Sequence, residues 1–157
     1  KLFPKSLAGP EVRIVELAAV EELLDAGMVV ITVGGGGIPV VADHNGDLHG
    51  VAAVIDKDLA ASLLAREIGA ELLLISTSVE KVALDFGPPC QRWVDELSLE
   101  EARRYVAEGG HFMAGSMAPK IQAIIEFLEG GGERAIVTSP ENIELALAGR
   151  TGTRFVP

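Results

Sequence analysis

Met28-Val29-Val30-Ile31-Thr32-Val33 runs without a break into Gly34-Gly35-Gly36-Gly37. An unbroken apolar, β-branched run of this length predicts a buried strand of the kind found in parallel sheets. The glycines end it and supply a loop whose backbone can approach a ligand closely. Upstream, Glu11 to Ala26 places Ile14, Val15, Ala18, Ala19, Leu23 and Leu24 at helical spacing, and Gly27 closes the segment. Helix, buried strand and glycine loop in that order predict an α/β fold.

The rest of the chain continues the alternation. Pro39 to Val54 surrounds Asn45-Gly46, a strong turn signal, and predicts a β-hairpin excursion. Leu59 to Ile68 reads as a helix preceded by Asp56-Lys57-Asp58, and Glu71 to Ser76 as a second buried strand. Pro88-Pro89 marks a loop. Ser98 opens a helix to about Glu108, with Glu101 completing a capping box. A further helix starts at Ser116 and runs to about Glu129; strand Arg134 to Thr138, helix Pro140 to Ala148 and a final strand Thr153 to Val156 follow. Strands alternating with helices predict a mainly parallel sheet with helices on both faces. No repeat or linker divides the chain, so residues 1–157 are expected to form one unit.

Composition narrows the function. A net charge of −10 opposes nonspecific nucleic-acid binding and adhesion to anionic membranes, both of which need Lys and Arg. Hydrophobic residues make up 48% of the chain but aromatics only 4%, which suits buried aliphatic strands under alanine-rich helices. The longest apolar run, Gly27 to Ala42, is too short and too broken by glycine and proline to span a membrane. Cys90 is the single cysteine, which points to a reducing compartment and to the cytoplasm. No signal peptide is visible, although the chain begins at Lys1 rather than Met, which leaves targeting signals unjudged.

Three motifs carry chemistry. Gly34 to Gly37 can aim several N–H groups at an anion, or can simply be a turn into the hairpin. The loop is not a dinucleotide fingerprint, because Pro39 and a hairpin follow it instead of a helix. Asp56-Lys57-Asp58 interrupts the apolar runs Ala52 to Ile55 and Leu59 to Ala61. One acid is accounted for as a helix N-cap; two carboxylates flanking an ammonium also suit holding that ammonium in place near a phosphate. In Gly115-Ser116-Met117-Ala118-Pro119-Lys120, Ser116 is the expected N-cap and Pro119 fits the first turn. Lys120 then sits at the end of the helix where the dipole disfavours a cation, a penalty that a bound phosphate would reverse.

Other residues offer less. His44 and His49 flank the hairpin turn and His111 lies in a glycine-rich approach; none belongs to a metal-ligand pattern, so no protein-held metal is expected. Asp85-Phe86-Gly87 matches the protein-kinase metal triplet but lacks every accompanying signature, and is read as coincidence.

Taken together, these segments resemble the carbamate kinases of the amino acid kinase family. The stretches that carry the resemblance are Gly34 to Val40, Ala53 to Ala60, Gly110-His111-Phe112, Ala114 to Lys120, Gly132 to Ile136 and Thr151-Gly152-Thr153. The resemblance implies an αβα sandwich of which this chain is the C-terminal, nucleotide-binding half, with the acceptor-binding half absent. It implies phosphoryl transfer between ATP and carbamate in arginine catabolism, with Mg²⁺ bound through the nucleotide phosphates and a homodimer as the family's habit. Lys57, Asp58 and Lys120 would be the catalytic residues, Asp58 orienting the two lysines. Gly34, Gly35, Gly36, Thr77, Ser78, Val79, Phe86, Ser116, Met117, Pro119 and Lys120 would bind the nucleotide. Two departures fall in the base region: Thr77-Ser78-Val79-Glu80-Lys81 stands where the family reads T-D-V-x-G, and Asp85-Phe86-Gly87 where it often reads N-Y-G. Two alternatives stand beside this reading: a relative acting on another acceptor, and a nucleotide-binding module without catalysis.

Overall fold

The computed structural model describes residues 12–87 and 89–157. Glu11 and Pro88, each at the edge of an expected element, lie outside the described residues.

The core is a four-stranded sheet of β3 (Leu72–Ser76), β7 (Arg134–Thr138), β8 (Thr153–Val156) and β6 (Glu96–Ser98), in that spatial order. β3 and β7 pair parallel, as do β6 and β8, while β7 and β8 are antiparallel. The sheet is therefore mainly parallel, as expected. Side chains alternate across it. Leu73 and Ile75 of β3 share a face with their register partners Ala135 and Val137 of β7, and this face joins the main core with Ile121, Ile124 and Phe127. Those three belong to α4 (Met117–Glu129) and are wholly buried. The intervening Ile136 faces the other way, its Cγ2 meeting the Cα side of Gly152 near Ala146 of α5 (Ile143–Leu147). Helices thus cover both faces.

Around this sheet, α2 (Lys57–Glu67) and α3 (Leu99–Glu108) flank α4. Ser98 and Glu101 close the expected capping box at the start of α3. The expected hairpin is β1 (Val40–Ala42) against β2 (Leu48–Gly50), turning through Asn45-Gly46, where Gly46 takes a φ of 87°. A second hairpin, β4 (Val82–Leu84) with β5 (Arg92–Val94), was not anticipated. It is tied to the sheet by the buried Thr153, whose hydroxyl donates to the Val94 carbonyl at 2.5 Å and accepts the Val82 N–H at 2.8 Å.

Three expectations need correction. Residues 28–33 form no strand and pair with none among the described residues, and Val33 takes a φ of 48° just before the glycines. Val30 and Thr32 are half-buried, whereas Val29 and Ile31 on the opposite face are 95% and 96% exposed. Burial on both faces needs a covering layer, and none of the described residues lies over the outer one. Helix α1 (Leu17–Asp25) is shorter than expected and buries only Val20; Val15, Leu23 and Leu24 stay exposed for the same reason. The helix expected over residues 140–148 is a 3-10 turn, Pro140–Asn142, leading into the short α5.

Candidate functional site

Asp56 is the N-cap of α2. Its carboxylate accepts the N–H groups of Asp58 at 2.8 Å and Leu59 at 3.3 Å, the arrangement that ends a helix cleanly. With Asp56 so employed, Asp58 is free for another purpose. It points inward from the first turn, 7% exposed, and its two oxygens take different lysines: Oδ1 accepts from Lys57 Nζ at 3.0 Å and Oδ2 from Lys120 Nζ at 2.7 Å. Burial pushes the Asp58 carboxyl up, but the Lys120 and Lys57 ammonium groups outweigh it and hold it below its ordinary 3.8. The carboxylate is thus ionised near neutrality, and one buried charge is balanced by two cations. Lys57 remains 55% exposed and Lys120 only 13%.

Lys120 comes from the first turn of α4, on the opposite side of this ion cluster from α2. The pair with Asp58 offsets the helix-dipole penalty noted for that position. Ser116 does not cap the helix: its side chain accepts no amide. The cap is instead the Met113 carbonyl, which accepts the N–H groups of Ser116, Met117 and Ala118 at 3.3, 3.1 and 3.2 Å. The expectation that Ser116 caps this helix is corrected accordingly, and these amides are already occupied. What the start of α4 offers a ligand is the Lys120 charge.

The glycine loop reaches the same cluster through a single residue. Gly36, with φ 95°, lies so close to the segment leading into α2 that a Cβ there would stand 2.2 Å from the Ile55 carbonyl oxygen and 3.3 Å from the Lys57 nitrogen. Gly34 and Gly35 are exposed and have nothing within 4 Å of an added Cβ. Gly36 is therefore required by packing, whereas Gly34 and Gly35 leave an open backbone surface beside Lys57.

A cleft of about 220 Å³ opens from Lys120. One wall is the loop after β3, with Thr77, Ser78 and Val79; another is the start of α4, with Ser116, Met117 and Lys120. Phe86 also lines it, 55% exposed. Seven of the residues expected to bind nucleotide thus surround one cavity. Pro119 is half-buried in the α4 first turn and Gly34 to Gly36 stand beyond the cleft, near Lys57. Four lining residues escaped the sequence reading: Lys81, Ala83, Trp93 and Met113. Ala83 and Trp93 are register partners across β4 and β5, so one face of that unforeseen hairpin forms the cleft floor. The departures from the family pattern are also anchored. Glu80 accepts from the Thr151 hydroxyl, and Lys81 donates to Asp95 at 2.6 Å, which together fix the loop that ends at the cleft.

Chemically, the arrangement is suited to a polyanion. Two ammonium groups share one carboxylate, an open glycine backbone stands next to them, and a cleft with aromatic and methionine walls leads away. Among the described residues no group of three or more His, Cys, Asp or Glu could hold a metal ion, and no helix is long and apolar enough to cross a membrane.

Residues 5–139 match the family model described as the amino acid kinase family. The carbamate kinase-like protein YahI of Escherichia coli is 50% identical over 155 residues, covering 98% of this chain and 49% of that protein. The carbamate kinase of Pyrococcus furiosus is 47% identical over 143 residues, covering 91% and 45%. The solved carbamate kinase of Giardia lamblia bound to AMP-PNP superposes with a TM-score of 0.87 at 41% identity, over 92% of this chain and 45% of that one. The chain spans about half the length of the curated relatives it matches. With its sheet order, its Asp58-centred lysine pair and the match over most of its length, the chain belongs to the amino acid kinase family.

Proposed function

We propose that this chain is the nucleotide-binding half of a carbamate kinase, working in the reaction ATP + carbamate ⇌ ADP + carbamoyl phosphate. The observation that carries the reading is Asp58 holding Lys57 and Lys120 on its two oxygens at the mouth of the cleft. Phosphoryl transfer asks little covalent chemistry of a protein; it asks for positioned positive charge around the moving group. In this reading Lys120, at the cleft end of α4, meets the nucleotide phosphates, and Lys57, more exposed, meets the transferring phosphoryl group. Asp58 keeps both ammonium groups from drifting. The open backbone at Gly34 and Gly35 faces the same phosphates, and the cleft between Thr77 to Val79, Phe86 and Met117 takes the nucleoside.

Mg²⁺ would accompany the nucleotide at this site, held by its phosphate oxygens as Mg²⁺ usually is. When bound it would neutralise charge on the phosphates; the residues of this chain do the orienting. The acceptor side is assigned to a second half of the protein, and with it a cytoplasmic role in arginine catabolism and the homodimer implied by the family. Supporting the reading are the identities of 46–50% to carbamate kinases and carbamate kinase-like proteins over nearly the whole chain.

The test is ATP formation from ADP and carbamoyl phosphate, measured with the 157-residue chain alone and after joining it to an acceptor-binding half. ADP binding by the chain with turnover only in the joined protein is the expected result. Turnover with another acyl phosphate but not with carbamoyl phosphate would reassign the acceptor. Absence of ADP binding would remove the nucleotide reading altogether.

A further inference from the structure

His111 is the one histidine wedged between two carboxylates. Its Nδ1 lies 2.7 Å from Asp85 Oδ1 and its Nε2 3.0 Å from Glu108 Oε2. The tie to Asp85 is made twice, because the Asp85 N–H also donates to the His111 carbonyl at 3.0 Å. Asp85 achieves this with a φ of 54°, a left-handed conformation uncommon for a residue with a Cβ. Strain of that kind persists only where surrounding contacts hold it. The ring is further braced by Tyr105, edge-on at 4.9 Å between centroids.

The place of this clasp gives it meaning. Asp85 directly precedes Phe86, and His111 stands two residues before Met113. Phe86 and Met113 both line the cleft, and the Met113 carbonyl caps the helix that carries Lys120. We propose that the Asp85–His111–Glu108 clasp is the positioning device of the nucleotide cleft, fixing Phe86 and Met113 in its wall and steadying the start of α4. This rests on the nucleotide reading above. His111 itself does not line the cleft; it acts through its neighbours.

The clasp has a built-in dependence on protons. Both ring nitrogens face carboxylate oxygens, and only the imidazolium has two N–H donors; the neutral ring has one, leaving a lone pair against a carboxylate. Hydrogen bonding to Asp85 raises the His111 pKa above its ordinary 6.5, burial lowers it somewhat, and the bond to Glu108 raises it further. The charged groups around it are Asp85 from the end of β4 and Glu108 from α3. Behind them, Arg104 lies 5.0 Å from the Tyr105 ring and 3.9 Å from Glu108, and Arg92 of β5 reaches the Tyr105 hydroxyl at 3.4 Å. A raised folded-state pKa means the clasp is at full strength below 6.5 and is lost as pH rises through the folded value.

The experiment measures ADP affinity of wild type, His111→Ala, His111→Gln and Asp85→Asn across neutral to alkaline pH. The ratio of wild type to variant cancels the ionisation of ADP itself. His111→Ala is expected to weaken ADP binding by about threefold to tenfold at neutral pH, the range for charge-assisted bonds between partly exposed groups. His111→Gln keeps one donor without the charge, so its deficit should shrink toward nothing as pH rises. Asp85→Asn, which tolerates the left-handed backbone, should reproduce the loss of pH dependence. An unchanged affinity in His111→Ala, or a wild-type to His111→Gln ratio independent of pH, overturns the proposal. A ligand-free readout separates this from the nucleotide reading: Trp93, the sole tryptophan, lines the same cleft. Its acrylamide quenching should rise in His111→Ala; if wild type binds no ADP, equal quenching in the two proteins rejects the clasp independently.

Discussion

Asp58 Oδ2 and Lys120 Nζ meet at 2.7 Å across 62 positions of chain, joining the first turns of two helices that also meet farther along through Arg66 and Glu126, 3.9 Å apart. Because both partners are nearly buried, the geometry is held by packing of α2 on α4 and not by chance at a flexible surface. Asp58→Asn retains the shape and loses the charge. Turnover of the joined protein should fall by orders of magnitude while ADP affinity changes little, since misorientation costs far more in the transition state than in binding. Steady-state kinetics beside calorimetry decide it, and unchanged turnover returns Asp58 to a structural ion pair.

Lys120→Ala should weaken ADP binding by about 1–3 kcal/mol, the scale of a charge-assisted hydrogen bond. Adenosine, which has no phosphates, should bind the variant and the parent alike. Calorimetric losses of equal size for the two ligands would show that Lys120 supports the fold through Asp58 instead.

The glycines of the loop should respond unequally. Gly36→Ala places a methyl 2.2 Å from the Ile55 carbonyl at a φ of 95°, so stability should drop by about 1–3 kcal/mol. Gly34→Ala and Gly35→Ala meet nothing within 4 Å and should stay within about 0.5 kcal/mol of the parent. Urea titrations of the three variants give the comparison; equal losses would mean the loop is set by something other than its contact with Ile55.

Ile31→Lys should reduce self-association without lowering the unfolding midpoint. The side chain is 96% exposed beside the 95% exposed Val29, an apolar edge that invites pairing with another chain. Sedimentation velocity and thermal unfolding read the two effects separately. A clear loss of thermal stability would show that Ile31 is covered in solution.

Acid should weaken the ion cluster in a defined direction. The Asp58 carboxyl is held below 3.8, so its contribution is complete above that value and fades as pH falls through the depressed one. Comparing acid unfolding of the parent with Asp58→Asn isolates it: the parent's advantage should vanish at the acid end.

Much of this was legible in the residues, for reasons that differ from place to place. Ser98 and Glu101 announce their helix because a capping box is a local contract between four positions. Asp56-Lys57-Asp58 stands out because three charges have no place in an apolar run unless partners wait nearby. The second partner, Lys120, could be linked to them only through the family resemblance, since no local rule spans such a separation. Trp93 stayed hidden because short strands such as Val82–Leu84 and Arg92–Val94 carry too few residues for a period to emerge, and Met113 because it lies in the loop before α4, where no period exists. Ser116 has the right chemistry for a cap, yet the backbone of Met113 arrives first. Residues 28–33 were read as a buried strand but are neither paired nor covered on their outer side, because composition reports what a segment prefers, not whether a neighbour is there to meet it.

The Met113 carbonyl, by taking the amides of Ser116, Met117 and Ala118, completes the start of α4 with the chain's own atoms. A helix finished in this way has no ordering step left to couple to binding. The arrival of nucleotide should therefore look kinetically plain: one phase, with an observed rate rising linearly with ADP concentration and no plateau from a preceding isomerisation. Differences in affinity among variants of such a scaffold should then lie mostly in how long the ligand stays bound.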